Sequence, residues 1–210
     1  MSILQEINEN LQKGRAPVVC NLVETALAEK YNTQEIMQSM MDAMAVIGEK
    51  FKNNEVFVPE VLISARAMNK GIAILKPYLL AEGVKESGRV CVGTVKGDLH
   101  DIGKNLVKLM LESKGLEVFD LGVDVAPEQF VQTAIDNQCQ VICCSALLTT
   151  TMGAMADVVK KAEEAGIRDT VKIMVGGAPV DQRFCESIGA DAYTPDAASA
   201  ADTALAFIKK

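Results

Sequence analysis

Apolar positions in the first eighty residues recur every three or four, the spacing that keeps one face of a helix out of water. Ile3, Leu4, Ile7 and Leu11 form one stripe, and Val18, Val19, Leu22, Val23 and Leu27 form a second that opens at Pro17. Thr33 is placed to cap a third helix bearing Ile36, Met37, Met40, Met44 and Ile47. Pro59 is placed to start a fourth, with Leu62, Ala65, Met68, Ile72 and Leu75 facing inward. Four amphipathic helices with short connections predict a small bundle over 1–85.

The pattern then breaks. Residues 81–88 are polar and contain Gly83, Ser87 and Gly88, and beyond them the apolar period becomes that of strands alternating with helices. The expected strands cover 90–95, 117–121, 141–145, 171–175 and 192–193. The expected helices cover 102–114, 127–137, 152–165, 182–188 and 197–208. Five such units predict a second domain over 89–210, an α/β Rossmann-like fold whose parallel sheet is covered on both faces. Right-handed crossovers and a flavodoxin-type arrangement give strand order 2-1-3-4-5.

That order brings the carboxyl ends of the first, third and fourth strands side by side, where open α/β sheets bind ligands. The loop at 97–103 is charged and glycine-bearing, the loop at 145–151 carries hydroxyls, and the turn at 176–179 begins with Gly176 and Gly177. The first loop holds the only histidine in the chain, His100, with Asp98 two residues before it and Asp101 directly after. Neutral imidazole is a common metal ligand, and a ligating histidine usually gives its other ring N–H to a carboxylate, which Asp98 could supply. Each loop has a plainer reading: a solvated histidine, threonines capping the helix near Met152, a tight turn at the glycine pair. Their convergence favours a cleft for a large ligand.

Charge narrows the partners. A net charge of -7 leaves no basic surface for nucleic acid or anionic membranes. No apolar run reaches the ~20 residues that span a bilayer, and residues 1–10 lack a signal-peptide core, so the expected address is cytoplasmic. Six cysteines fit that as reduced thiols, because Cys91, Cys143 and Cys144 lie in strand-like apolar runs.

Taken together, Asp98, His100 and Gly103, then Ser145 and Leu147, then Gly176 and Gly177 resemble the Asp-x-His-x-x-Gly, Ser-x-Leu and Gly-Gly motifs of cobalamin-binding domains. The helical half resembles the cap that precedes this domain in methionine synthase and in corrinoid proteins, carried by the runs at 48–51, 56–61 and 64–68. The resemblance implies that His100 is the lower axial ligand of cobalt, replacing the cofactor's own dimethylbenzimidazole. Asp98 would accept the other ring N–H, and Thr151, where methionine synthase has serine, would extend that relay. The displaced nucleotide tail would run past Ser145, Leu147, Gly176 and Gly177. Gly97, Asp101, Ile102, Gly103 and Thr149 would complete the cobalamin contacts, and Phe51, Val58 and Val61 would cover the upper face of the corrin.

The implied function is a stand-alone corrinoid protein, a methyl carrier and itself a non-catalytic subunit of a methyltransferase system. Its partners would be a substrate-specific methyltransferase, an acceptor methyltransferase acting on a thiol or a pterin, and a reductive activase, because nothing in 210 residues resembles a substrate-binding barrel. Methanol, methylamines, glycine betaine and aryl methyl ethers are the donor classes such carriers serve. Three alternatives are weighed against it: the small subunit of an adenosylcobalamin-dependent mutase, a corrinoid-based sensor, and a flavodoxin-like flavin or phosphate module.

Overall fold

Helix starts in the first part of the chain are set by side chains that satisfy amide groups left free by the first turn. The structure, a computed structural model, describes residues 2–82 and 88–209; of the polar 81–88 segment where the pattern breaks, 83–87 lie outside the described residues. Ser2 caps α1 (Ile3–Gln12) through a reciprocal box with Gln5, and Pro17 stands in the first turn of α2 (Ala16–Ala28), where its missing N–H costs nothing. The cap of α3 (Thr33–Lys52) is Asn32, not Thr33: Asn32 has extended backbone and accepts from the amides of Gln34 and Glu35, whereas Thr33 is already helical. The Thr33 hydroxyl instead donates to the Glu82 carboxylate.

The fourth helix, α4 (Val58–Ala81), buries Val61, Ala65, Met68 and Leu75 but leaves Leu62 42% exposed. The expected stripe was one position out of phase there, because residue 62 falls about 100° round the helix from residue 61. Ile7, Leu11, Val19, Val23, Ile36, Met40 and Met44 complete the core of this unit, which spans Met1–Glu86.

The second unit, Ser87–Lys210, is a parallel sheet in the order β2-β1-β3-β4-β5. Its strands are β1 (Arg89–Thr94), β2 (Glu117–Asp120), β3 (Val141–Ser145), β4 (Lys172–Gly176) and β5 (Ala192–Tyr193). The helices α5 (Ile102–Ser113) and α9 (Ala197–Ile208) pack together on one face, and α6 (Pro127–Asp136) and α7 (Gly153–Glu164) on the other; the short α8 (Gln182–Ser187) lies by β5. Burial on both faces explains why the strands read as continuous apolar runs. Phe130, Ile142, Cys144, Met155 and Val158 form the centre of one layer.

Pairing register places the site. Thr94 of β1 stands opposite Ser145 of β3, which stands opposite Gly176 of β4, so the three following loops leave the sheet at one level. Strand β4 ends at Gly176, one residue later than its apolar run suggests, because the ladder with β3 fixes its frame. Among the described residues no helix is long and apolar enough to cross a membrane.

Candidate cofactor-binding site

The loop after β1 turns back on itself so that His100 returns to the end of its own strand. The Asp98 amide donates to the Val95 carbonyl at 3.1 Å, and the buried Thr94 hydroxyl donates to the His100 carbonyl at 2.8 Å. Asp98 is fully buried, and its two oxygens divide their work. Oδ1 accepts from the His100 amide at 3.0 Å and stands 2.7 Å from His100 Nδ1. Oδ2 accepts from the amides of Leu147 and Leu148 at 2.8 and 3.2 Å and from the Thr151 hydroxyl at 2.8 Å. Burial pushes this carboxyl up, but the donors from His100, Leu147 and Thr151 outweigh it and hold the group well below the ordinary carboxylate range.

An ionised carboxylate only accepts, so the proton of the neutral imidazole sits on Nδ1 and the Nε2 lone pair is left free. The His100 side chain is 50% exposed, and among the described residues nothing bonds its Nε2. A helix start follows directly: Asp101 precedes α5 and accepts at its carboxylate from the Asn105 side chain at 3.1 Å.

Around this imidazole the surface is unusually apolar for exposed loops. Leu99 and Ile102 are 71% and 76% exposed, and Leu147 and Leu148, tied by their amides to Asp98, are 44% and 41% exposed. Leaving four large aliphatic side chains exposed on the two loops that Asp98 joins is costly in water and favourable against an apolar ligand. Gly103 marks the same opening, since a Cβ there would meet nothing within 4 Å. Gly177 is different: its φ is +128° and a Cβ would overlap the Ala146 carbonyl oxygen, so protein packing alone demands glycine there.

The structure therefore gathers Gly97, Asp98, His100, Asp101, Ile102, Gly103, Leu147 and Thr151 about one point, with Ser145 and Gly176 half-buried at the sheet edge and Thr149 exposed. In the first unit Val61 is buried, while Phe51 and Val58 are half-buried. Sequence reasoning passed over Leu148, whose amide is a donor to Asp98, and Thr94, which holds the His100 carbonyl. A buried hydroxyl at the carboxyl end of an apolar strand was the available signal for Thr94.

Among the described residues no group of three or more His, Cys, Asp or Glu side chains could cage a bare ion. One free ring nitrogen on an apolar rim suits a metal that brings its own equatorial ligands. The buried cysteines do not compete for the role: burial pushes the Cys143 thiol up to about 12 and raises Cys144 further.

Fold and site thus define an α/β protein whose sheet-end loops present one histidine with a free ring nitrogen. Comparison with known proteins says which. Residues 88–205 and 3–76 each match a family described as B12 binding domain. A corrinoid protein of Desulfitobacterium hafniense is 36% identical over 100% of this chain and 99% of its own length. Trimethylamine corrinoid protein 1 of Methanosarcina acetivorans is 42% identical over 84% of this chain and 83% of its own. The crystal structure of the methanol:cobalamin methyltransferase complex MtaBC from Methanosarcina barkeri matches with a TM-score of 0.87 and 30% identity, over 99% of this chain and 80% of that one. The chain belongs to the B12-binding corrinoid proteins, and its cofactor is a corrinoid.

Proposed function

We propose that this chain carries a methyl group on its bound corrinoid between two methyltransferases, one that loads it from a substrate and one that delivers it to a thiol or pterin acceptor. The full-length likeness to a corrinoid protein, together with the likeness to a methyltransferase complex, supports a methyltransferase as partner. An acceptor methyltransferase and a reductive activase complete the cycle in this reading. The observation that carries it is the His100 imidazole, fixed at Nδ1 by Asp98 and free at Nε2 among exposed aliphatic side chains.

When bound, the corrinoid supplies the cobalt centre that takes up and gives off the methyl group. His100 would hold the cobalt through Nε2, and the Asp98 carboxylate keeps the ring in the tautomer that leaves this lone pair available. With no metal on it, Nε2 could hold a proton of its own, on the side of the ring away from the Asp98 carboxylate. Thr151 holds Oδ2 at 2.8 Å and so keeps the carboxylate from turning away. The open space over Gly103 leaves room for a ligand, and the exposed Leu147 side chain offers it an apolar surface. Ser145, Leu147, Gly176 and Gly177 would line the path of the displaced tail.

The test is transfer of a labelled methyl group. The loaded and reduced chain alone leaves methanol, methylamines, glycine betaine and aryl methyl ethers untouched. With the methyltransferase that co-purifies with it, label from one donor class is retained on the chain. Uptake without a partner, or none with it, contradicts the reading.

A further inference from the structure

The loop between β2 and α6 lies outside every motif considered so far, yet it holds the histidine loop from the far side. Asp124 uses both of its polar ends for this. Its carboxylate Oδ1 accepts from the Gly97 amide at 2.7 Å, and its own amide donates to the Asp98 carbonyl at 3.0 Å. Gly97 and Asp98 are thereby clasped across 27 positions of sequence. Asp124 does so with a φ of +54°, a left-handed conformation that costs a non-glycine residue on the order of 1 kcal/mol.

The clasp is itself anchored. Gly122 accepts at its carbonyl from the Thr94 amide at 3.0 Å and donates its own amide to Asp120 Oδ1 at 3.0 Å. Asp120 in turn accepts from the buried Lys104, in the first turn of α5, at 2.6 Å. Val125 continues the pairing, its amide bonding the Thr94 carbonyl at 3.0 Å. A residue held on both sides in an unfavourable conformation is over-determined by its surroundings, and here those surroundings are the strand and loop that present His100.

We infer that Asp124 is a positioning residue for His100: by fixing the Gly97–Asp98 peptide it aims the Asp98 carboxylate at Nδ1 and so sets which ring nitrogen is left for the corrinoid. The inference rests on His100 being the axial donor, but its test needs no cofactor. The chain has one histidine, so a single pair of imidazole nitrogen signals in the NMR spectrum of the full-length, cofactor-free protein reports its tautomer.

Three substitutions separate the two properties of this residue. Asp124→Asn keeps an acceptor oxygen and tolerates the left-handed backbone, Asp124→Gly keeps only the backbone, and Asp124→Ala keeps neither. Asp124→Asn is expected to retain the wild-type imidazole nitrogen shifts and slow exchange of the Gly97 amide. Asp124→Gly is expected to move the nitrogen shifts toward a mixture of tautomers and to speed Gly97 exchange on the order of tenfold, with thermal stability followed in parallel. Wild-type imidazole shifts in the folded glycine variant, or the same altered shifts in the asparagine variant, would overturn the inference and leave Asp124 as a turn residue only. Cobalt nitrogen coupling that survives in His100→Ala would count against the role of His100 instead, and would leave the tautomer result for Asp124 standing.

Discussion

The Thr151 hydroxyl lies 2.8 Å from Asp98 Oδ2, the carboxylate oxygen that His100 does not touch. The same hydroxyl is 2.9 Å from the Leu148 carbonyl, so its one proton has two competing acceptors, of which the carboxylate is the stronger. Histidine, aspartate and threonine therefore form one buried line of hydrogen bonds from an exposed nitrogen into the protein. Thr151→Val keeps the shape and removes the donor, which should cost about 1–3 kcal/mol in denaturant unfolding, while Thr151→Ser restores most of that loss. Equal stability of the valine and serine variants would mean that the hydroxyl bonds only the Leu148 carbonyl to any effect.

Asp98 also predicts how stability follows pH. Its carboxyl is depressed in the folded state, so the stabilisation is fully present above the unfolded value of about 3.9 and is lost as pH falls through that value toward the folded one. Asp120 and Asp191 are depressed too and contribute with the same sign. Urea unfolding between pH 6 and pH 2.5 should therefore fall more steeply for the wild type than for Asp98→Asn, whose side chain does not titrate. Parallel curves would remove Asp98 from the account of acid sensitivity.

Two glycines of the site are predicted to behave in opposite ways. Gly177→Ala must displace the Ala146 backbone and adopt an unfavourable φ, so a loss of roughly 2 kcal/mol or more is expected in thermal unfolding of the cofactor-free protein. Gly103→Ala lies in a helix with open space around it and should stabilise the same protein by about 0.5–1 kcal/mol. The added methyl then stands in the opening, so hydroxocobalamin should be held more weakly in a dialysis measurement. Tighter or unchanged retention by Gly103→Ala would place the ligand elsewhere.

Much of this is legible in the sequence, for physical reasons that differ by element. Strands buried on both faces announce themselves as apolar runs, and the crossover rule then leaves few strand orders, which is why β2-β1-β3-β4-β5 was foreseen. Asp98 and His100 were visible because two residues of spacing in one loop is a local relationship. The rest of the Asp98 environment was not: the amides of Leu147 and Leu148 leave no trace in residue identity, since every residue carries one. Leu62 was misplaced because one residue of phase error turns a helix by about 100°. Asn32 outcompeted Thr33 as a cap because the better acceptor stood one position earlier. The Asp124 clasp was invisible because no spacing rule connects it to Gly97.

The central claim is that His100 Nε2 is the donor beneath the corrinoid, and its most direct measurement is the paramagnetic resonance of the cobalt(II) state after loading with hydroxocobalamin. The wild-type chain should be red and show coupling to one axial nitrogen, with labelled histidine changing that coupling, and His100→Ala should lose it. A chain that stays colourless, or one whose nitrogen coupling survives unchanged in His100→Ala because the cofactor's own base remains bound, would contradict the account.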